Sequence, residues 1–302
     1  MVRVLGIFVG LGFVAAVAWS LLWGVVAYVG SPPEQTAEAR LHEHPRNIAY
    51  SFDGPFGRFD EQQVQRGFQV FKEVCSACHS LNLVAFRDLR QIGYSEAEVR
   101  AIADQWQIQV PSINPDTGEA ATRKAIPADH FPSPYPNEVA ARAANNNALP
   151  PDLSLMAKAR EGGPAYIESL LTGYHNPPAD FQVPANLHYN PYFANLNIAM
   201  PPPLTADGQV TYGPGNPAPT RAQMANDVAA FLMWAAEPNL QSRHRAGLVV
   251  LIFLIFGTVL GYLAYQNVWH GPGSRRVRET GPLDPENMAR TAEANRDAGV
   301  AG

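Results

Sequence analysis

Cysteine is almost absent from this chain. Cys75 and Cys78 are the only two in 302 residues, and they lie three positions apart, so a disulfide framework is excluded. There is no surplus of positive charge either: 22 Lys and Arg stand against 27 Asp and Glu, a formal net charge of −5. That balance lacks the basic footprint of a nucleic-acid binder, so nucleic acid is excluded as a partner, and a basic partner suits it better. No internal repeat or low-complexity tract stands out, which excludes a repeat array. Charge is missing altogether from two apolar runs, Val4 to Val29 and Ala246 to Tyr265. Each is long enough to cross a bilayer core as a helix, which takes about 20 residues.

What is present in excess is proline, 27 residues, which breaks helices and central strands and implies long irregular stretches. The two apolar runs divide the chain into residues 1–30, 31–242, 243–268 and 269–302. The first segment is an export signal or a retained membrane helix. Arg3 and the small residues Ala16-Val17-Ala18 fit a cleavable signal, but the apolar run continues through Leu21, Leu22, Trp23, Val25 and Val26, and its length favours retention. Trp19, Trp23 and Tyr28 suit a membrane interface. Either way the following domain is sent across the membrane, Ser31-Pro32-Pro33 forms a linker, and the second run returns the chain. Arg275, Arg276 and Arg278 beyond that run agree with the positive-inside rule; Arg243 and Arg245 before it reduce the bias.

Within residues 31–242 the periodicity predicts a few helices joined by long loops. Val64, Phe68, Phe71, Cys75 and Cys78 fall on one helical face, and a second helix is expected over about 95–106. Residues 127–136 are Pro-rich and aperiodic. A short helix is expected over 164–172, opening at a proline and ending near Gly173. Residues 174–219, rich in Pro, Asn and Gly, should be mostly loop, and so long a loop usually wraps something or serves function. Thr220 and Gln223 suggest a capping box for a last helix through Met224, Val228, Phe231, Leu232 and Ala235, ended by Pro238.

Cys75-Ser76-Ala77-Cys78-His79 is the c-type haem attachment pattern. Two thiols three apart can add to the two vinyl groups on one porphyrin edge, and the adjacent histidine then offers a ring nitrogen to the iron. A redox dithiol or half of a zinc site shares the Cys pair, but the first lacks a βαβ context and the second lacks another Cys pair. A six-coordinate carrier also needs an axial partner, and thioether sulfur favours the ferrous state. Met156, Met200, Met224 and Met233 are the candidates. Met224 and Met233 suit helix packing, Met156 suits core filling, and Met200 lies before Pro201-Pro202-Pro203, in a loop stiffened by proline. His42, His44, His130, His175 and His188 are weaker competitors. Arg142 and Arg160 suit the propionates, which need cations or polar donors when buried.

Several longer stretches are more specific than the attachment pattern. They include Arg66-Gly67-Phe68-Gln69-Val70-Phe71, Ala140-Ala141-Arg142-Ala143-Ala144-Asn145-Asn146 and Ala148-Leu149-Pro150-Pro151-Asp152-Leu153-Ser154. Leu171-Thr172-Gly173-Tyr174, Asn190-Pro191-Tyr192-Phe193 and Phe231-Leu232-Met233-Trp234-Ala235-Ala236-Glu237-Pro238 follow. Over about Ser51 to Trp269 the chain resembles cytochrome c1, the haem-c subunit of the cytochrome bc1 complex. The resemblance implies a mainly α cytochrome c-type haem domain with long Pro-rich loops, anchored by a C-terminal transmembrane helix and possibly an N-terminal one. It implies one covalent haem c on Cys75 and Cys78, with His79 and Met200 as iron ligands. It implies Arg160 at a propionate, Tyr166 nearby, and Asn145, Pro150 and Pro151 in the crevice wall. Some bacterial members carry an extra disulfide before the axial methionine, for which this chain has no cysteines, so prolines and packing must hold that loop.

The role implied is electron relay without bond-making chemistry. Electrons would pass from the Rieske iron–sulfur protein through the haem to a soluble or membrane-attached cytochrome c. Cytochrome b and membrane lipid are the other implied partners, in a dimeric quinol–cytochrome c reductase. The expected location is the bacterial inner membrane, with the haem domain periplasmic and the C-terminus cytoplasmic. Glu96, Glu98, Asp104, Asp116 and Glu119 are candidates for an acidic docking surface, and Gly257-x-x-x-Gly261 would allow close helix approach. The rival functions are a haem-c subunit of another respiratory enzyme, a non-haem membrane protein with a reactive or zinc-binding Cys pair, and an enzyme with an open haem site.

Overall fold

The structure is a computed structural model that describes residues 2–31, 36–269 and 285–297. Its internal packing divides the chain into two units, Met1–Ser51 with Phe59–Pro238, and Phe52–Arg58 with Asn239–Gly302. The first carries helices α1 (Val2–Gly30), α2 (Ala37–Leu41), α3 (Glu61–Glu73), α4 (Glu96–Asp104), α5 (Glu138–Ala144), α6 (Met156–Ala159), α7 (Gly163–Thr172) and α8 (Arg221–Ala236). The antiparallel pairs β1 (Val110–Ile113) with β2 (Ala120–Arg123) and β3 (His188–Tyr189) with β4 (Asn197–Ile198) complete it. The second unit carries α9 (Leu240–Trp269) and α10 (Pro285–Asp297). The fold is mainly α with little strand.

Helix α3 starts where Asp60 accepts the backbone N–H groups of Gln62 and Gln63 at 3.0 and 3.3 Å, satisfying donors that a helix start leaves unpaired. Its stripe Val64, Phe68 and Phe71 is buried, as the periodicity requires. The partner is α8, the central helix, whose Met224, Val228, Phe231 and Trp234 are all buried. Phe231 meets Phe68 and Phe71 with ring centroids 5.6 and 5.5 Å apart, and Phe131 joins them at 6.0 and 6.2 Å. Pairs of this kind contribute about 0.5–1.5 kcal/mol each beyond area burial. Polar groups fix the same crossing: Arg66 donates to both carboxylate oxygens of the fully buried Asp227 at 2.9 and 3.0 Å. Helices α6 and α7 pack on other faces of α8, so α8 is buried nearly all round.

Several local expectations are corrected. Cys75 and Cys78 do not continue the helix of Phe68 and Phe71: α3 ends at Glu73, Val74 caps it with φ widened to −119°, and residues 75–77 form a 3₁₀ turn. Thr220 Oγ1 does cap α8 by accepting the Gln223 N–H at 3.1 Å, but the Gln223 amide reaches forward to Asp227 at 2.9 Å instead of closing a box. The hairpin β1–β2 carried no clear sequence signal. Residues 127–131, though irregular, pair with 84–87 through Phe86 N–H to Asp129 O, Arg87 N–H to Pro127 O and Phe131 N–H to Val84 O at 2.8–3.0 Å.

Beyond β3 and β4, residues 174–219 are irregular, as expected. Buried Leu204 and Val210 anchor the part after Met200, and side chains satisfy its backbone. Gln209 donates to Pro203 O and accepts from Thr205 N–H, each at 2.9 Å, and Gln69 donates to Thr211 O at 2.9 Å. Side-chain capture is required because the prolines supply no N–H.

Helices α1 and α9 are long and apolar enough to cross a membrane, with mean hydropathies of 2.3 and 2.5 in their richest windows and no residue of those windows buried. Both helices are candidate membrane spans. Pro32 and Pro33 of the linker and the cluster Arg275, Arg276 and Arg278 lie outside the described residues.

Candidate cofactor site

The 3₁₀ turn that follows α3 carries the attachment residues. The N–H groups of Cys78 and His79 both bond the Cys75 carbonyl, at 3.1 and 2.9 Å, which curls the segment. Cys75 is half-buried and Cys78 exposed, and both are free thiols. Burial, with a smaller contribution from Cys78, pushes the Cys75 thiol up to about 12. At neutral pH it is therefore a protonated thiol, unlike the activated thiolate of a redox dithiol.

His79 is already oriented. Its Nδ1 lies 2.8 Å from the Pro151 carbonyl oxygen, which can only accept, so Nδ1 carries the proton and Nε2 is left as the ligating atom. Burial pushes the imidazole below its usual value, and the Pro151 carbonyl and Asp152 carboxylate pull it back upward. The outcome is the neutral, ligand-competent form. Beyond His79, Asp152 accepts Ser80 Oγ–H and Asn82 N–H at 2.8 Å and Ser154 N–H at 2.9 Å. Burial raises this carboxyl, but its donors outweigh that and hold it below the usual range.

The Met200 segment is reached from another direction. Met200 is half-buried between β4 and Pro201-Pro202-Pro203, and its carbonyl accepts the Tyr174 hydroxyl at 3.1 Å. Burial, and next the nearby Tyr166, raise Tyr174 above its ordinary value. Burial also raises Tyr166, while the positive charge of the nearby Arg160 guanidinium lowers it. Arg160 lies just before α7 and Tyr166 within it, and Tyr174 follows the helix to bond the Met200 backbone. Gly162 and Gly163 make the turn that opens α7, at φ +80° and +53°. A Cβ at Gly162 would press on Pro45 at 2.8 Å, so glycine is needed there both for its backbone conformation and for space.

The remaining candidates divide. Pro151 meets His79 through the carbonyl bond, and Pro150 precedes it in the chain. Asn145 ends α5, donating to Ala141 O at 2.7 Å and Tyr135 Oη at 3.0 Å; Asn146 and Asn147 follow with positive φ, and Arg142 is engaged with Asn147 O at 3.0 Å. Arg160 is exposed, and its guanidinium bonds the adjacent Ala159 carbonyl at 3.1 Å. Met224 is fully buried in the core, as expected for packing. The rival histidines His130 and His175 bond backbone carbonyls through Nδ1. Asp152 and Tyr174 stand within family-like stretches but received no role from sequence reasoning. Asp152 follows two prolines that have no N–H, a local signal that a side chain must hold the strand; Tyr174 carries no such signal.

The residues present fit a covalent haem: two adjacent free thiols, a neutral imidazole with one nitrogen reserved, a thioether in a stiffened loop, and an arginine beside a tyrosine. The same residues fall in a match to a family model. The model described as the Cytochrome C1 family matches residues 50–271. Among similar proteins, cytochrome b/c1 of Bradyrhizobium diazoefficiens is 43% identical over 278 residues, which are 85% of this chain and 40% of that protein. Cytochrome c1 of Blastochloris viridis is 44% identical over 280 residues, 86% of this chain and 96% of the relative. The mitochondrial cytochrome c1 heme protein of Saccharomyces cerevisiae is 46% identical over 235 residues, 77% of this chain and 74% of the relative.

Proposed function

The chain belongs to the cytochrome c1 family, a family of haem proteins, and on that premise we propose that it relays single electrons from the Rieske iron–sulfur protein to a soluble or membrane-attached cytochrome c. It does so as a subunit of quinol–cytochrome c reductase beside cytochrome b; the relative named cytochrome b/c1 supports that neighbour. A single covalent haem c supplies one-electron exchange at iron. Cys75 and Cys78 hold its edge, His79 Nε2 and the Met200 thioether are the iron ligands, and Arg160 with Tyr166 receives a propionate. Asn145, Pro150 and Pro151 bound the crevice. The observation that carries this is the His79–Pro151 bond of 2.8 Å, which presents Nε2 next to two free thiols.

Helices α1 and α9 are the membrane anchors, with the haem domain on the periplasmic side of a bacterial inner membrane, the C-terminus cytoplasmic, and the complex dimeric. The continuous 29-residue α1 supports retention of residues 1–30. The acidic docking set is narrower than its composition suggests. Glu96 pairs with Arg100, and Asp104 with Lys124, so Glu98, Asp116 and Glu119 are the groups left to steer a basic cytochrome.

A reduced-minus-oxidised spectrum of the tagged protein, gently extracted from its own membranes, tests the proposal. A c-type band with copurifying b-type bands is expected. A c-type band without b haem would move the chain to another respiratory enzyme, and no haem band would overturn the assignment of Cys75, Cys78 and His79.

A further inference from the structure

The segment that follows His79 runs beside residues 151–154, and a series of bonds joins the two. His79 Nδ1–H reaches Pro151 O at 2.8 Å, and Leu153 N–H reaches Ser80 O at 2.9 Å. Leu83 N–H reaches Ser154 Oγ at 3.1 Å. Between them, Oδ2 of Asp152 takes Ser80 Oγ–H and Asn82 N–H, both at 2.8 Å, while Oδ1 takes its own neighbour Ser154 N–H at 2.9 Å. Pro150 and Pro151 have no N–H to donate, so the stretch that presents the carbonyl to His79 cannot fix its own register through its backbone donors. The first group after it that can do so is the Asp152 side chain, and it bonds the residues immediately after the histidine.

We propose that Asp152 is the positioning residue of the proximal histidine: its carboxylate clamps Pro151 O onto His79 Nδ1 and sets a fixed negative charge beside the imidazole that lowers the iron potential. The inference rests on the haem assignment made above. A carboxylate suits both parts of the task. It accepts three donors with no donor of its own to repel them, and charge-assisted bonds are the stronger kind. A partner one bond beyond a ligand orients it and tunes the metal; here that partner is Pro151 O, and Asp152 fixes the chain on either side of the bond. The negative charge stabilises the oxidised, more positive centre over the reduced one.

The test uses the full chain in its extracted complex, by redox titration of the c-type band with haem content measured alongside. Asp152→Asn keeps the shape but removes the charge and turns one acceptor into a donor. Haem should be retained and the midpoint potential should rise, with an electron-exchange equilibrium shifted up to about tenfold, which is 59 mV for one electron. Asn82→Ala loosens the same segment by removing the bond from Ser133 (2.9 Å) while sparing Asp152's donors, and should leave the potential in place. Ser80→Ala, the milder change should Asp152→Asn fail to assemble, leaves the carboxylate less compensated and should lower the potential. An unmoved potential in Asp152→Asn, an equal shift in Asn82→Ala, or an upward shift in Ser80→Ala would overturn the inference. Loss of the c-type band in the unsubstituted protein is a separate result: it defeats the haem assignment and takes this inference with it.

Discussion

Glu168 is a buried carboxylate held at a disadvantage. It is 7% exposed, and its Oε2 has no partner among the described residues. The nearest cation, Arg46, stands 3.9 Å away and is committed elsewhere, to Thr172 at 2.9 Å and Tyr192 at 3.1 Å. Burial raises the Glu168 carboxyl and Arg46 offsets only part of that. A carboxyl raised in the folded state binds its proton more tightly there than in the unfolded chain. Folding is therefore favoured below the ordinary glutamate value and loses that advantage as pH rises through it to the raised folded value. Glu168→Gln should thus keep or raise the unfolding temperature at pH 7, with the difference shrinking towards pH 4. A clear loss of stability at pH 7, followed by circular dichroism, would show that the carboxylate is an asset. The pairing of Arg46 with Tyr192 was not legible in sequence, although Tyr192 stands in a family-like stretch, because the two lie 146 positions apart.

At the scale of elements, the crossing of α3 and α8 depends on Gly67. A Cβ there would run into the backbone carbonyl of Asp227 and press on Phe231 Cβ at 2.7 Å. Glycine is needed for close approach, not for an unusual backbone angle. Gly67→Ala should force the helices apart, costing about 1–3 kcal/mol by overpacking and straining the Arg66–Asp227 pair. A lowered unfolding temperature with reduced haem retention is the expected outcome, and wild-type values would mean that the crossing yields easily. Helices α3, α4, α7 and α8 were legible because each buries a periodic stripe with a capping or breaking residue at its end. The Cys turn was misread as helix because i, i+3 spacing is shared by α and 3₁₀ geometry over so few residues. Hairpin β1–β2 was missed because its four-residue strands, with Pro111 inside one, show no fully buried face.

At the scale of the whole molecule, two apolar helices make a membrane-embedded protein the expected form. Washing membranes with alkaline carbonate should leave the chain in the pellet, and only detergent should release it; release by carbonate would mean that neither helix spans. The family was read from longer resembling stretches; local pattern alone determined the two long apolar helices, the C-x-x-C-H run and the principal helices. Each of these depends on residues close together in sequence: an uncharged run, a C-x-x-C-H spacing, a 3.6-residue stripe. Only the tertiary structure decided which nitrogen of His79 is reserved, how Tyr174 grips the Met200 backbone, and that Asp152 holds the segment beside His79. Those bonds join groups 26 to 72 positions apart, and no local spacing encodes them. They exist because α3 and α7 pack on α8, and the proline-rich loops, short of backbone donors, take partners from whatever that packing brings near.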